Sequence, residues 1–237
     1  MLPHKLTLCL LLFLAIPETI VAQRKPPSGG RLAIVVDERL AALRATPQLN
    51  GRLVRRLSRG RLLAMRSMRT SADGISFFLV NVSSRTRGWI QREAVVSPSH
   101  PGADQRLFTL IERSQDFDRI ARARIFLDYF PRSRIRPTVL LLLGDTAEAL
   151  ATKLSADATR RLKQEHGEAP EFSYFLNYPG LDRYNRQGIT FVFDQSTKRF
   201  HYDGASWREI VRRYPHSPAA TEAKIKLDSL YSQLRNK

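Results

Sequence analysis

The chain has 237 residues, of which 39 are basic and 22 acidic, so its formal net charge at pH 7 is +17. Its single cysteine, Cys9, lies inside an apolar N-terminal run. If that run is removed, disulfides, thiolate metal sites and a cysteine nucleophile are all excluded. Arginine supplies 31 of the basic residues, and no block of five or six like charges is typical of a binding tail.

The N-terminus has the pattern of a secretory signal peptide. Lys5 precedes an apolar run at residues 6–16, and Ala22 ends a small-residue exit. The run is too short for a comfortable membrane span. We therefore expect residues 1–22 to be removed, the protein to be periplasmic or secreted, and no stable span to remain. A retained membrane anchor is the alternative. Residues 23–30, QRKPPSGG, are expected to be a flexible lead-in.

Export changes what the positive charge implies. A basic cytosolic protein suggests nucleic acid, which an exported chain rarely meets. We therefore expect an anionic partner in the envelope, such as peptidoglycan, another anionic polymer, lipid headgroups or an acidic protein, and no nucleic acid. The alternative is an arginine-rich solvated surface without a specific partner.

Residues 31–97 are predicted to form a small all-β barrel or sandwich. Short apolar segments alternate with turn residues, namely Pro47, Gly51, Gly60, Gly74 and Gly88. In the segment ISFFLVNV, Ile75, Phe77 and Leu79 share a wholly apolar face, which predicts that this face lies in the core. Residues 97–102, SPSHPG, mark the predicted boundary with a helical part.

Four segments of this part, in the same order, resemble bacterial SH3-like domains. They are LRATP at 43–47, LSRG at 57–60, FFLV at 77–80 and RGWI at 87–90. The resemblance implies an SH3-like barrel that attaches to peptidoglycan or binds a peptide, with Phe77 and Trp89 as candidate binding residues. Family members often carry tryptophan where Phe77 stands. For Trp89, a core plug is the alternative to a ligand platform.

Residues 102–237 are predicted to be mostly helical. An amphipathic helix at 116–130 is stopped by Pro131, and Pro137 opens a leucine-rich helix that continues to about Leu154. Ser155 is then predicted to cap a third helix that ends near residue 165.

The C-terminal region repeats this arrangement. Ser206 and Glu209 form a predicted capping box for a helix that Pro215 stops. Ser217 is predicted to cap the last helix, with Pro218 in its first turn.

The corner FPRS at 130–133 returns as YPHS at 214–217. With the alanines that follow the second copy, it resembles the tetratricopeptide-like repeats of bacterial envelope proteins. The resemblance implies helical hairpins that bind another protein. Two copies so far apart do not form a regular solenoid.

Residues 171–204 are predicted to be an insertion between the two copies. Alternation on both sides of QSTK predicts a β-hairpin at about 189–202. The aromatic side chains before it form either a ligand-facing patch or core contacts: Phe172, Tyr174, Phe175, Tyr178 and Tyr184. Tyr174, Tyr178 and Tyr184 are the candidate binding residues.

No motif for catalysis, a metal or a cofactor stands out. His201 and Asp203 share one face of the hairpin, but two ligands make at best a weak metal site. Asp145 and Glu148 lie three residues apart on a helix, where a solvated face is the alternative to acid–base work. We therefore expect no enzyme, no metal and no cofactor.

The sequence thus predicts a two-part α+β protein that acts as a non-enzymatic binding or scaffold protein of the bacterial envelope. The alternative is a cell-wall hydrolase with a site in the insertion, near Asp182, Asp194, His201 and Asp203.

Overall fold

A computed structural model describes residues 29–164 and 169–235. The predicted signal peptide, its cleavage position and the first part of the lead-in lie outside the described residues. Across the two described ranges, no helix combines the length and the hydropathy that a bilayer crossing requires. The architecture is α+β, as predicted: a seven-stranded antiparallel sheet followed by helices and a two-stranded hairpin.

The sheet half, residues 29–102, contains seven strands. They are β1 (Arg31–Val35), β2 (Ala42–Arg44), β3 (Leu53–Arg56), β4 (Leu62–Thr70), β5 (Ser76–Asn81), β6 (Arg87–Gln91) and β7 (Val95–Val96). A short 3-10 helix, Arg92–Ala94, precedes β7. The spatial order is β3-β2-β6-β5-β4-β1-β7, and in the described residues no pairing joins β3 to β7. Strand pairing therefore shows an antiparallel sheet but not the closed barrel that the sequence predicted.

The predicted core face of β5 is confirmed only at Phe77, which is fully buried, while the buried cluster of the sheet half includes residues of the other face. Val80 and Val82 belong to the buried cluster of the sheet half, and Phe78 packs against it, whereas Leu79 on the predicted face is only half-buried. Both faces of β5 are apolar, so alternation alone cannot choose between them. Pairing with β6, which places Phe78 opposite Ile90, decides which face turns inward.

The helical half, residues 103–235, contains seven α-helices and one hairpin in its described part, besides a short 3-10 helix at Pro179–Leu181. They are α1 (Ala103–Glu112), α2 (Asp116–Tyr129), α3 (Arg136–Gln164), α4 (Glu171–Leu176), α5 (Asp182–Asn185), β8 (Phe191–Asp194), β9 (Arg199–Tyr202), α6 (Ala205–Arg213) and α7 (Pro218–Arg235). The predicted hairpin at 189–202 is confirmed, because β8 pairs antiparallel with β9.

The predicted helix break at Ser155 is wrong, because α3 is a single helix of 29 residues. The Ser155 hydroxyl donates a hydrogen bond to the carbonyl oxygen of Ala151 over 2.7 Å, so its donor has a partner within the helix. It also accepts a hydrogen bond from the amide of Phe200 in β9, over 2.7 Å. Serine is common at the N-cap position of helices. Ser155 instead attaches the hairpin to the middle of α3.

The two proline corners share one backbone geometry. Phe130 and Tyr214 end α2 and α6 with φ/ψ of −123/56° and −132/47°. The amide of Ser133 donates to the carbonyl of Phe130 over 3.2 Å. The amide of Ser217 makes the same bond to Tyr214 over 3.0 Å. The serine side chains differ, since Ser133 donates to Asp104 and Ser217 to the carbonyl of Tyr214.

The predicted capping box of α6 is not formed. The helix begins after Gly204, which has φ of 79° and, as glycine, supplies no side-chain cap. The amide of Ser206 donates to the Tyr202 hydroxyl, and Glu209 forms an ion pair with Arg136. The first amides of α6 therefore bond to the side chains of Tyr202 and Asp203 and not to the predicted box.

The sheet half and the helical half are packed together. Ile34, Val36 and Val96 of the sheet half belong to the same buried cluster as the helices. Arg122 of α2 is 4% exposed and donates to the carbonyl oxygen of Val36 over 3.0 Å. It also lies 3.4 Å from the buried carboxylate of Asp37.

Candidate binding face of the sheet

The outer face of the sheet carries one of the two predicted binding residues. In β6, Gly88 and Ile90 are buried, whereas Arg87 is exposed and Trp89 half-buried. Trp89 therefore does not plug the core, as one interpretation of the sequence proposed. Phe77, the other candidate, is fully buried. Its full burial leaves a ligand no surface to contact.

Trp89 lies beside two arginines of the sheet, Arg44 and Arg69. It is opposite Arg44 of β2 on one side and Leu79 of β5 on the other. The Arg69 guanidinium carbon is 5.7 Å from the centre of the Trp89 ring, which is within cation–π range. The face therefore combines a flat aromatic surface with at least two guanidinium groups.

A shallow depression of about 480 Å³ lies on the same face, and Leu79, opposite Trp89, is one of its lining residues. Its basic residues are Arg66, Arg85 and Arg87, and Asn81 and two serines also line it. With its amide oxygen turned toward β4, Asn81 accepts bonds from Arg66 Nε and Nη2 over 3.2 and 3.1 Å. Hydrogen-bond donors and positive charge thus surround Leu79, the one apolar side chain among the described lining residues.

The charge of this half is largely uncompensated. Residues 29–102 contain 13 arginines, no lysine and four acidic residues, a net charge of +9. In the described parts of the chain, the arginines of this half that pair with a carboxylate are Arg39 and Arg59. Arg66, Arg85 and Arg87 are exposed and have no such partner there. Such a surface attracts anions at long range.

The predicted aromatic patch of the insertion is mostly core. Tyr184 is fully buried and meets Phe117 and Phe191 edge-on, with ring centres 5.6 and 5.7 Å away. Tyr174 is half-buried, and its hydroxyl accepts a bond from the amide of Ala169 over 3.3 Å.

Tyr178 is buried, but its ring has charged neighbours. Its hydroxyl donates to Asp157, and the Arg161 guanidinium lies 5.9 Å from the ring centre. Burial, reinforced by that carboxylate, raises the pKa of the Tyr178 hydroxyl. Tyr178 separates two open grooves, of about 530 Å³ and 400 Å³. The structure therefore does not bring the three tyrosines together as one exposed patch.

The carboxylates of α3 have structural partners. One oxygen of Glu148 lies 3.1 Å from His201 Nδ1, and the other accepts a bond from the amide of Tyr202 over 2.7 Å. Asp145 lies 3.5 Å from the ammonium of Lys226 in α7, and burial raises the pKa of its carboxyl. These contacts hold α3 against β9 and α7.

The other groups of the alternative hydrolase site are used in turns. Asp194 is buried and accepts bonds from Ser196 and Thr197 in the hairpin turn. Asp203 accepts a bond from the amide of Ala205 at the start of α6, and Asp182 is exposed. Within the described ranges, no three histidine, cysteine or acidic side chains are grouped to hold a metal.

The sequence identifies Trp89 as a candidate binding residue but does not identify the arginines around it, namely Arg44, Arg66, Arg69, Arg85 and Arg87. Their common face is set by the order of four strands, which no local pattern reveals. A usable signal existed in the composition, because the first half uses arginine without lysine and has few acids.

Comparisons of the chain with models of protein families, with curated proteins and with solved structures found no match. The function must therefore be argued from the geometry of the face itself.

Proposed function

We propose that the protein is a non-enzymatic binding protein of the bacterial cell envelope, whose sheet half holds an anionic cell-wall polymer on the outer face of β2, β6, β5 and β4. The observation that carries the proposal is the set of unpaired, exposed arginines beside Trp89. Peptidoglycan is the first candidate, and another anionic envelope polymer is the second.

The proposed SH3-like character of the sheet half has support in its strand order. Three of the four resembling segments lie in β2, β6 and β5, which are consecutive neighbours in the sheet. The fourth is the turn before β4, where Gly60 has φ of 75° and so suits glycine. At Gly88, an added Cβ would lie 2.7 Å from the carbonyl oxygen of Arg44, so β2 can approach β6 only at glycine.

A flat basic face fits a polymer better than a short peptide. The face presents charges spread over three strands and a loop rather than a deep apolar groove, and its depression is shallow and polar. Repeated anionic groups on a polymer can contact several arginines at once, so weak individual contacts add up. Trp89 adds an apolar surface for the uncharged part of a repeat unit.

For the helical half we propose tetratricopeptide-like hairpins that bind another envelope protein. Support comes from the shared geometry of the two proline corners and from the packing of α2 on α3 and of α6 on α7. On α7, Ile225 is 63% exposed and Tyr231 is 38% exposed, which gives this half an apolar outer surface.

Co-sedimentation of the mature chain with purified peptidoglycan sacculi tests the polymer proposal. The substitutions Arg66→Gln, Arg85→Gln and Arg87→Gln together should weaken binding at least about tenfold, because they remove the charges of the depression. The matched control removes three exposed arginines of the helical half: Arg132, Arg134 and Arg212. Equal losses in both triple variants, or no enrichment over a basic protein of similar charge, would refute it.

The mature chain incubated with sacculi also tests the alternative enzyme. Muropeptides released into the supernatant would favour a hydrolase. Binding that disappears in moderate salt and transfers equally to anionic lipid vesicles would instead favour a general electrostatic contact.

A further inference from the structure

A small pocket lies where the sheet half meets the first helix, on the side of β5 opposite to the proposed polymer face. Its volume is about 240 Å³. Apolar atoms come from one residue each of β4, β5, β7 and α1, namely Met65, Phe78, Val95 and Ala103. We call it the junction pocket.

Two arginines line the junction pocket beside these apolar walls. Arg106 Nη1 donates to the carbonyl oxygen of Val95 over 2.6 Å, and Nη2 to that of Glu93 over 2.7 Å. Its guanidinium is thus fixed in position. Arg92 is exposed, and no carboxylate in the described residues forms an ion pair with it.

The electrostatic balance at the junction pocket favours an anion. No lining residue is acidic among those described. Burial, and also the repulsion from Arg92, lowers the pKa of Arg106, while the nearby Glu93 carboxylate opposes this shift. A bound carboxylate would relieve the repulsion between the two guanidinium groups and accept charge-assisted hydrogen bonds.

We infer that the junction pocket binds the C-terminal residue of a peptide, with an apolar side chain against Phe78, Val95 and Ala103 and the free carboxylate toward Arg92 and Arg106. This ligand is separate from the proposed polymer, because none of these five residues belongs to the outer face.

Size and chemistry select this occupant. The volume corresponds to about eight water molecules, which is close to one amino-acid residue and below the usual pocket of a drug-sized ligand. A long acyl chain would not fit in it. A free phosphate would leave the apolar walls without a partner, whereas a terminal leucine or phenylalanine uses both the walls and the arginines.

Isothermal titration of the mature chain with acetyl-Gly-Gly-Leu tests the inference, with the C-terminal amide and acetyl-Gly-Gly-Gly as matched ligands. The free acid should bind at least about tenfold more tightly than the amide, because the amide lacks the charge. The glycine peptide should also bind more weakly, since it leaves the apolar walls empty.

Two variants locate the site. Arg92→Gln should weaken binding of the leucine acid about tenfold, and Ala103→Met should abolish it by filling the pocket. Arg113→Gln, which removes another exposed arginine beyond the end of α1, should leave binding unchanged. Circular dichroism and the melting temperature check that each variant is folded.

The inference is overturned if acid and amide bind equally, if the leucine acid shows no saturable binding at millimolar concentration, or if folded Ala103→Met binds as well as the unaltered chain. The sacculus assay does not depend on these residues, so the two proposals can fail separately.

Discussion

The two halves of this molecule use arginine in opposite ways. In the helical half, two half-buried arginines bond to helix ends: Arg119 donates to the last carbonyls of α1, and Arg136 to the carbonyl of Leu127 near the end of α2. In the sheet half, most arginines point to solvent without a carboxylate partner in the described residues. The same residue type therefore supports packing at these positions of one half and, under the proposed function, would contact a ligand in the other.

Composition already separates these two uses. Residues 103–237 hold 23 basic and 17 acidic residues, whereas residues 29–102 hold 13 and four. A basic residue surrounded by acids tends to be paired, and one without them stays available to an external anion. Net charge alone would have hidden this difference.

The largest expected effect is at Arg122. Arg122→Met should lower the free energy of unfolding by about 3–5 kcal/mol, because it leaves the buried Asp37 carboxylate without this charge partner and the Val36 carbonyl without its donor. Urea denaturation followed by circular dichroism measures it. A loss below about 1 kcal/mol would show that arginine in the helical half is not structural.

Asp37→Asn tests the same contact from the other side. The Arg39 hydrogen bond, with further attraction from Arg39 and Arg122, lowers the pKa of Asp37 despite its burial. Its contribution is therefore present above about pH 4 and is lost as the pH falls through the folded-state pKa.

We expect Asp37→Asn to destabilise the protein by about 2 kcal/mol at pH 7, and we expect the difference from the unaltered chain to shrink as the pH falls below about 4. Denaturation curves at pH 7, 4 and 2 check the sign. A difference that stays constant over this range would mean that ionisation of Asp37 contributes nothing.

A smaller effect is expected at Arg136. Arg136→Met removes the 2.6 Å bond to the carbonyl of Leu127 and the 3.1 Å ion pair with Glu209, and should cost about 1–2 kcal/mol. Arg132→Met, an exposed arginine four residues earlier, is the control. Equal melting temperatures of the two variants would contradict the assigned role.

The smallest change in stability is expected on the sheet. Arg85→Gln combined with Arg87→Gln should alter the free energy of unfolding by no more than about 0.5 kcal/mol, since both side chains are exposed and have no carboxylate partner in the described ranges. The same variant should lose sacculus binding. A large loss of stability would show that these two arginines stabilise the fold, contrary to this prediction.

Local signals predicted much of the fold. The helix ends near Pro131 and Pro215 follow from the chemistry of proline, and the hairpin at 189–202 follows from alternation. The predicted helix start at Ser155 was wrong, because its hydroxyl bonds both to the carbonyl of Ala151 within the helix and to the amide of Phe200 in β9. A residue whose partner lies 45 positions away cannot be assigned from its neighbours in sequence.

The candidate site was harder to predict for the same reason. Trp89 was recognisable from its segment, but its exposure depends on which side of β6 meets the core. The arginines of the face come from β2, β4, β6 and the loop before β6, and only the strand order brings them together. Strand order is a non-local property. The sequence therefore showed that this half is basic, but not which arginines share a face.

The cluster that joins Ile34, Val36 and Val96 to the helices has a consequence for modularity. A portable domain buries only its own residues and survives excision, whereas this sheet half has its own buried cluster but also packs these three residues among the helices. The two halves should therefore melt in a single cooperative transition, and each alone should expose apolar surface. The proposed polymer-binding face would thus belong to an integrated unit, in which a structural change at the helices can alter the sheet.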